Sequence, residues 1–256
     1  MLLSVGFPGD GLAESRPTEA DLARRLAGYE GCFVTLDLRA GTSIRVNARR
    51  CAVRLSPCST FKIPNSLIAL ETGVVPHGRE ILRWDRKDRG MADWNRDHCL
   101  ESAFRASAVW YYQELARRIG ASRMRRFLAL FRYGNQDLSG GLDRFWLQSS
   151  LAISPDEQVA FLARLARGEL PLSSRTVEVF RRVSIVSHHG ASVLRGKTGS
   201  ALDPATSKRC QNWFVGWLEG PHGTHVFAAH IAGPSIPDYR TARRIAEQIL
   251  HDLGLW

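Results

Sequence analysis

The stretch that decides the fold is Ser56-Pro57-Cys58-Ser59-Thr60-Phe61-Lys62, which begins a predicted helix. One helical turn separates Ser59 from Lys62 and puts both side chains on one face. A serine hydroxyl is a weak nucleophile at neutral pH and needs a base within hydrogen-bonding reach. Lysine is such a base only where burial or a neighbouring charge lowers its pKa, and Phe61 and Ile63 are suited to form a dry pocket. The alternative for an isolated S-x-x-K is a helix N-cap followed by a surface lysine.

A second motif, Lys197-Thr198-Gly199, lies about 135 residues further along near the end of a predicted strand, and Ser200 follows it. The glycine leaves one face of that strand open to close approach by another backbone. Lys197 and Thr198 are suited there to binding a substrate carboxylate. The alternative is a strand that simply ends in a turn. The two motifs together are far more specific than either alone.

Composition excludes several classes of protein. The chain has 256 residues, of which 44% are apolar and 23% are charged, so it is neither disordered nor fibrous. It is long enough for one large domain with a sizeable core. Because no apolar run approaches the roughly 18 residues of a membrane span, we expect no stable membrane insertion.

The charge balance is basic, since 35 Lys and Arg against 25 Asp and Glu give a formal net charge of +10. The arginines are scattered, which favours an arginine-rich surface; an Arg-rich nucleic-acid-binding protein is the distant alternative and predicts salt-dependent DNA affinity. The lysines are only Lys62, Lys87, Lys197 and Lys208. Arginine is always charged, whereas burial makes lysine neutral. The two lysines within the motifs are therefore candidates for chemistry.

Cysteine and histidine positions predict no metal site. The five cysteines are odd in number and irregular in spacing, which indicates neither a disulfide framework nor a zinc site. Cys51 and Cys58 are candidates for a pair, which sequence separation alone does not establish. The histidine pairs 188–189 and 222 with 225 have no third ligand that completes a site.

The N-terminal segment MLLSVGFPGDGLAES has no basic region and only a short apolar stretch. It is therefore not predicted to be a signal peptide. The open interpretations are a chain that starts after a removed signal, a truncated gene start, and a cytosolic protein.

Hydrophobic periodicity predicts strands towards both ends of the chain and helices between them. The predicted helices cover 17–29, 63–72, 103–119, 122–131, 154–167, 174–183 and 238–253, and the predicted strands cover 31–38, 42–47, 191–198, 212–218 and 224–232. The fold class is therefore α/β, of the α+β type, with one antiparallel sheet built from both chain ends beside a mostly helical region. We expect a single domain, 1–256, with a sheet subdomain at about 17–58 and 185–256 and a helical subdomain at about 59–184.

Further short motifs accompany the first two. In chain order they are Glu71-Thr72-Gly73-Val74, Trp84-Asp85, Trp94 with Asp97, Ser107-Ala108-Val109, Tyr133-Gly134-Asn135, Phe145-Trp146-Leu147 and Trp213-Phe214-Val215-Gly216-Trp217. With S-x-x-K and K-T-G at these spacings, the chain from about Gly31 to Trp256 resembles the class D (oxacillinase-type) serine β-lactamases. The resemblance implies the serine β-lactamase/penicillin-binding transpeptidase-like fold. Class A enzymes are disfavoured because Ala-Val, and not Asp-Asn, follows Ser107.

The resemblance implies catalytic roles for five matching residues. Ser59 would attack the β-lactam carbonyl and become acylated. Lys62 would be N-carboxylated by CO2, giving an N6-carboxylysine that takes the serine proton and later activates water. Trp146 would donate a hydrogen bond to the added carboxylate, because an indole N–H is a donor only. Val109 would keep the pocket dry, and Ser107 would relay protons to the leaving nitrogen.

Substrate binding is implied at a second group of residues. The backbone N–H groups of Ser59 and Ser200 would form an oxyanion hole. The family usually adds an arginine near the start of the last helix. The residues implied in holding the substrate and its carboxylate are Lys197, Thr198 and Gly199, with Arg240 and Arg243 as the two candidate arginines.

The implied function is hydrolysis of small-molecule β-lactam antibiotics in the periplasm or outside the cell, by a monomer or homodimer that binds no nucleic acid. No cofactor and no metal are implied, apart from the CO2 or bicarbonate that carboxylates Lys62. The alternative is the β-lactam-sensing domain of a transmembrane signal transducer, which shares the framework but is acylated without rapid turnover. The loops around Trp84–Trp94 and Ser200–Gln211 are expected to decide which β-lactams are preferred.

Overall fold

The computed structural model describes residues 17–256. The N-terminal segment assessed above for a signal peptide lies outside this range. The helices are α1 (Glu19–Ala23), α2 (Ala48–Cys51), α3 (Lys62–Glu71), α4 (Leu100–Ala106), α5 (Val109–Ile119), α6 (Ala121–Phe131), α7 (Pro155–Ala166), α8 (Ser174–Val183) and α9 (Thr241–Asp252). The strands are β1 (Glu30–Asp37), β2 (Ser43–Val46), β3 (Ile185–His189), β4 (Ser192–Leu202), β5 (Arg209–Gly220) and β6 (Gly223–Ala232). Short 3-10 turns cover Arg24–Leu26, Cys58–Phe61 and Ala92–Trp94.

Within residues 17–256 the strands form one antiparallel sheet in the order β2-β1-β6-β5-β4-β3. Strand β1, from the N-terminal part, pairs along its whole length with β6, from Glu30 opposite Ala232 to Asp37 opposite His225. In chain order, the helices α3 to α8 lie between the strand pair β1 and β2 and the four strands β3 to β6. The predicted α+β class, with its sheet built from both chain ends, is confirmed.

The sheet is the middle of three layers, because alternate residues of its strands point to opposite faces. On β5, Trp213, Val215 and Trp217 belong to the larger core under the helical region. Phe214 and Leu218 belong to a second core on the other face, where α9 and the residues of α1 pack. Helix α7 packs across β1, β5 and β6.

The structure differs from the predicted secondary structure in several places. The predicted helix 17–29 is the short α1 with a 3-10 turn after it, and the strand predicted to end at 198 continues as β4 to Leu202. Strand β3 was not predicted, because it is a partly exposed edge strand that ends in His188 and His189 and carries no apolar alternation. The predicted helix 103–119 is two helices, α4 and α5, since Ser107 adopts a left-handed conformation with φ 55°. Apolar periodicity runs through this break and does not reveal it.

The fold brings the S-x-x-K turn onto the sheet. The 3-10 turn Cys58–Phe61 packs against β4 and β5, at the junction between the sheet and the helices. The division into a sheet subdomain and a helical subdomain within one domain stays a prediction. In the part of the chain that the structure describes, no helix combines the length and the apolar character needed to cross a bilayer.

Candidate active site

The S-x-x-K motif forms a 3-10 turn that leads directly into α3. Lys62 Nζ donates a hydrogen bond of 2.7 Å to Ser59 Oγ, so the structure brings these two side chains together as their spacing predicts. Cys58, which precedes the serine, has a left-handed φ of 49°. This backbone turn is followed by Thr60, whose N–H donates to the Pro57 carbonyl at 3.1 Å. The serine is therefore presented from a sharp, hydrogen-bonded turn.

Lys62 is fully buried, with 0% of its surface exposed. Burial, and next the positive charge of Lys197, hold the pKa of its amine well below the ordinary value, while Cys58 opposes the shift. Its Nζ lies 5.3 Å from the centre of the Tyr112 ring. No salt bridge to Lys62 is found within residues 17–256. Its surroundings therefore shift this side chain towards the neutral amine.

Trp146 lies against the S-x-x-K turn, with its indole fully buried. Its ring stacks on Phe61, with centroids 5.1 Å apart and an interplanar angle of 25°. Trp146 Nε1 has no hydrogen-bond partner among the described residues, which costs free energy for a buried donor. An added carboxylate on the neighbouring lysine is an acceptor of the kind that this donor requires, so the residues present fit a carboxylated Lys62.

The K-T-G motif lies on β4 where the strand passes the serine turn. A Cβ atom on Gly199 would lie 2.9 Å from the Pro57 carbonyl oxygen and 3.0 Å from Thr60 Cγ2. The close backbone approach predicted at this glycine is therefore present. Burial lowers the pKa of Lys197 to about 7, and its Nζ donates to the Thr198 carbonyl at 3.0 Å.

Ser107 and Val109 lie at the break between α4 and α5. Ser107 is half-buried and ends α4 in its left-handed conformation, and Val109 is the half-buried first residue of α5. Within residues 17–256, the Ser107 hydroxyl makes no hydrogen bond to Ser59 or Lys62. The break explains how a small polar residue is presented from an otherwise helical segment, while its proton-relay role stays a prediction.

The two candidate arginines are engaged in local contacts. Arg240 Nε donates to the Tyr239 hydroxyl at 3.0 Å, and its guanidinium lies 5.2 Å from the centre of that ring. Arg243 Nε pairs with Glu247 at 2.8 Å. The structure therefore brings neither guanidinium into a hydrogen bond with the K-T-G strand, and the choice between them stays a prediction.

The cysteines and the two histidine pairs are the remaining candidate ligands of the sequence. All five cysteines lie within residues 17–256 and are free thiols, so Cys51 and Cys58 are not bonded to each other. His225 Nε2 contacts the His222 carbonyl at 3.2 Å. Over residues 17–256, no three His, Cys, Asp or Glu side chains come close enough to hold a metal ion.

Ser56, the first residue of the S-P-C-S-T-F-K stretch, has a role in the site that the sequence did not predict. Its hydroxyl donates to the Trp146 carbonyl at 3.1 Å and accepts from the Gln148 N–H at 3.0 Å. Its carbonyl accepts from Trp213 Nε1 at 3.0 Å and from Gln211 Nε2 at 2.7 Å. Ser56 therefore joins three segments of the site, and no local pattern predicts contacts between residues so far apart in the chain.

Asn212 is the second such residue. It is fully buried on β5, directly opposite Ser200 on β4. Its amide contacts the main chain of Gly199 and of the segment that starts α9. Asn212 is a polar residue at the start of a predicted apolar strand, and this is the one signal that the sequence offers for its role.

The chain is similar to known proteins over most of its length. Residues 28–253 match the family described as Transpeptidase: Penicillin binding protein transpeptidase domain. The chain is 41% identical over 226 residues to Probable beta-lactamase YbxI of Bacillus subtilis (strain 168), covering 88% of this chain and 82% of that protein. It is 38% identical over 206 residues to Beta-lactamase OXA-48 of Klebsiella pneumoniae, covering 80% and 76% respectively.

A solved structure gives the same result for the fold. The class D β-lactamase YbXI from Nostoc superposes with a TM-score of 0.87 at 38% identity, covering 93% of this chain and 99% of that one. The fold of residues 17–256, with its six-stranded sheet, is thus shared with a solved class D β-lactamase over nearly the whole of both chains. On both sequence and fold, the chain belongs to the class D β-lactamases, a family of hydrolases.

Proposed function

We propose that the protein hydrolyses β-lactams through an acyl ester on Ser59, with a carboxylated Lys62 as the general base. The observation that carries this proposal is the 2.7 Å contact between Lys62 Nζ and Ser59 Oγ at a fully buried lysine. Only a neutral amine adds CO2, and burial favours the neutral amine here. The unpartnered Nε1 of Trp146 supports the same assignment.

The proposed reaction has two steps. In acylation, Ser59 Oγ bonds to the lactam carbonyl carbon, its proton passes to the base at Lys62, and the C–N bond breaks. That proton passes from the base through the Ser107 hydroxyl to the leaving nitrogen, which regenerates the base, and Val109 helps to keep water out of the lysine pocket. In deacylation, water bonds to the ester carbonyl carbon and gives a proton to the base, the bond between that carbon and Ser59 Oγ breaks, and the base returns the proton to Ser59 Oγ. The carboxylate that CO2 adds to Lys62 supplies the general base in both steps.

Substrate binding is assigned to the β4 edge. The Ser59 and Ser200 N–H groups stabilise the oxyanion. Lys197 and Thr198 bind the substrate carboxylate beside Gly199, and the nearby anion raises the pKa of Lys197 above its free value of about 7. Arg240 or Arg243 adds a second cation after a side-chain rearrangement.

Location and assembly are proposed from the family alone. We propose that the protein acts in the periplasm or outside the cell, as a monomer or homodimer and a single domain. Its substrate class, small β-lactams, follows from the names of its relatives, each of which is a β-lactamase.

Turnover is the first expected result. The protein is expected to consume many equivalents of a chromogenic cephalosporin or penicillin, with a rate that rises when bicarbonate is added to a CO2-depleted sample. Ser59→Ala is the control and should show no turnover and no covalent adduct by mass spectrometry. A single stoichiometric burst from the wild type would contradict hydrolysis and favour the β-lactam-sensing alternative.

Ser56→Ala tests the positioning of Trp146. The change removes two hydrogen bonds of the Trp146 segment, each worth about 1 kcal/mol. We expect turnover at ambient CO2 to fall roughly 10-fold and to recover in part with bicarbonate, because Trp146 no longer holds its place beside Lys62.

Two further variants make this test specific. Ser56→Thr keeps the hydroxyl and should retain most activity. Ser43→Ala removes an exposed serine hydroxyl on the edge strand β2, which accepts from Arg45 Nη1 at 2.7 Å, and should leave turnover unchanged. Wild-type turnover and bicarbonate dependence in Ser56→Ala would show that Trp146 does not depend on this contact.

A further inference from the structure

The peptide between Gly199 and Ser200 has one side paired and one side open. Strand β4 pairs with β5 along this segment, whereas β3 pairs only with residues 192–195 of β4. The peptide is trans, so its carbonyl and its N–H point in opposite directions. The Gly199 carbonyl accepts a hydrogen bond from Asn212 on β5. The Ser200 N–H therefore points to the open edge, on the side away from β5.

Both polar atoms of the Asn212 side chain form hydrogen bonds in this region. Its Nδ2 lies 3.0 Å from the Gly199 carbonyl oxygen, 2.8 Å from Ser200 Oγ and 3.1 Å from the Tyr239 carbonyl oxygen. Its Oδ1 accepts from the Ala242 N–H at 2.7 Å. The side chain is fully buried, so no solvent competes for these contacts.

These contacts form a continuous chain of polarised groups. Ala242 lies in the first turn of α9, where backbone N–H groups have no partner within the helix and carry partial positive charge. That N–H polarises the Asn212 amide, and the amide in turn polarises the 199–200 peptide. Hydrogen bonds in such chains strengthen one another in a buried environment. The last donor in the chain is the Ser200 N–H.

We propose that Asn212 is a positioning residue of the oxyanion hole, which fixes the plane of the 199–200 peptide and makes the Ser200 N–H a stronger donor. The inference rests on the proposed function, because it needs an acyl-transfer reaction at Ser59. It assigns to Asn212 no contact with the substrate. The competing explanation is that Asn212 only holds β5 and α9 together, which predicts lower stability without any effect on the reacting carbonyl.

The test compares Asn212→Ala with Asn212→Asp. Alanine removes the whole hydrogen-bond chain. Aspartate has the same shape and keeps an acceptor for the Ala242 N–H, but it places an acceptor oxygen against the Gly199 carbonyl. The control is Asn47→Gly, which removes an amide that donates to the Gly31 carbonyl at 2.7 Å far from the site. Glycine suits its left-handed φ of 58°.

The readouts are the acylation rate constant and the infrared carbonyl stretch of the acyl ester formed with a slowly hydrolysed, 13C-labelled β-lactam. We expect acylation to slow by roughly 10- to 100-fold in both Asn212 variants, less than or similar to the loss of a whole oxyanion donor. We also expect the ester carbonyl stretch to shift to higher frequency, because a weaker donor polarises the carbonyl less. Asn47→Gly should change neither readout.

The other possible outcomes distinguish a failure of this inference from a failure of the proposed function. An unshifted carbonyl stretch with wild-type acylation in a folded Asn212 variant would overturn the inference while leaving the acyl-enzyme in place. If the alanine variant does not fold, the isosteric aspartate variant decides by the same readouts. Absence of an ester band and of a mass adduct in the wild type would instead overturn the proposed function.

Discussion

Lys62→Ala is expected to lower β-lactam turnover by roughly 10²- to 10⁴-fold, the contribution typical of a general base. The lysine Nζ lies 2.7 Å from Ser59 Oγ, within hydrogen-bonding distance of the nucleophile. Without it, both the loss of the serine proton and the activation of water lack a base. The expected observations are slow acylation, or an acyl-enzyme that accumulates and is detected by intact-protein mass spectrometry.

Lys62→Arg tests whether a long side chain that always carries a positive charge can replace the lysine. Arginine stays protonated at any accessible pH, so it neither accepts the serine proton nor adds CO2, and we expect a loss as large as for alanine. The control is Arg126→Ala, which removes an exposed cation on α6, outside the two loops expected to set β-lactam preference, and should leave turnover unchanged. Normal hydrolysis by either Lys62 variant would exclude this lysine as the base.

The fold was largely predictable because its strands carry their burial pattern in the sequence. On β5, Trp213, Val215 and Trp217 face one core while Phe214 and Leu218 face the other, so the segment is apolar throughout, bounded by polar residues and turns. The turn residues between the last two strands predicted that these two strands pair with each other. Strand β3 escaped prediction because an edge strand does not need two apolar faces.

The break between α4 and α5 shows a different limit. It depends on one backbone conformation, at Ser107, in a segment whose apolar spacing continues on both sides. Hydrophobic periodicity reports which faces are buried and is insensitive to a single left-handed residue. The motif Ser107-Ala108-Val109 therefore marked the correct place for a special residue, although the helix prediction ran through it.

The contacts in the candidate site are of two kinds: some join residues that are close in the sequence, and others join residues that are far apart. Ser59 and Lys62 are three residues apart, so helical geometry alone brings them together. Ser56 meets Trp146 across 90 positions, and Asn212 meets Ala242 across 30. Such contacts depend on how whole segments pack, which the spacing of residues in one sequence does not encode.

Trp146→Phe is expected to make activity strongly dependent on added bicarbonate. Phenylalanine keeps the ring that stacks on Phe61 and removes the buried Nε1–H that has no partner among the described residues. A hydrogen bond to a charged group contributes about 1.5–3 kcal/mol, so we expect the CO2 affinity of Lys62 to fall roughly 10- to 100-fold. The measurement is turnover as a function of bicarbonate, with the added carboxylate followed by 13C NMR.

The pH dependence of Trp146→Phe follows from the same balance. Only the neutral amine adds CO2, so lowering the pH protonates Lys62 and removes the carboxylate, and a weaker carboxylate is lost at higher pH. The activity of Trp146→Phe should therefore fall at higher pH than that of the wild type, and bicarbonate should move it back. Trp217→Phe removes an indole N–H that donates to Glu219 at 3.1 Å and should retain the wild-type profile. A Trp146→Phe enzyme with the wild-type pH profile and bicarbonate dependence would show that Nε1 does not stabilise a carboxylated lysine, and the base at Lys62 would then have to be the free amine.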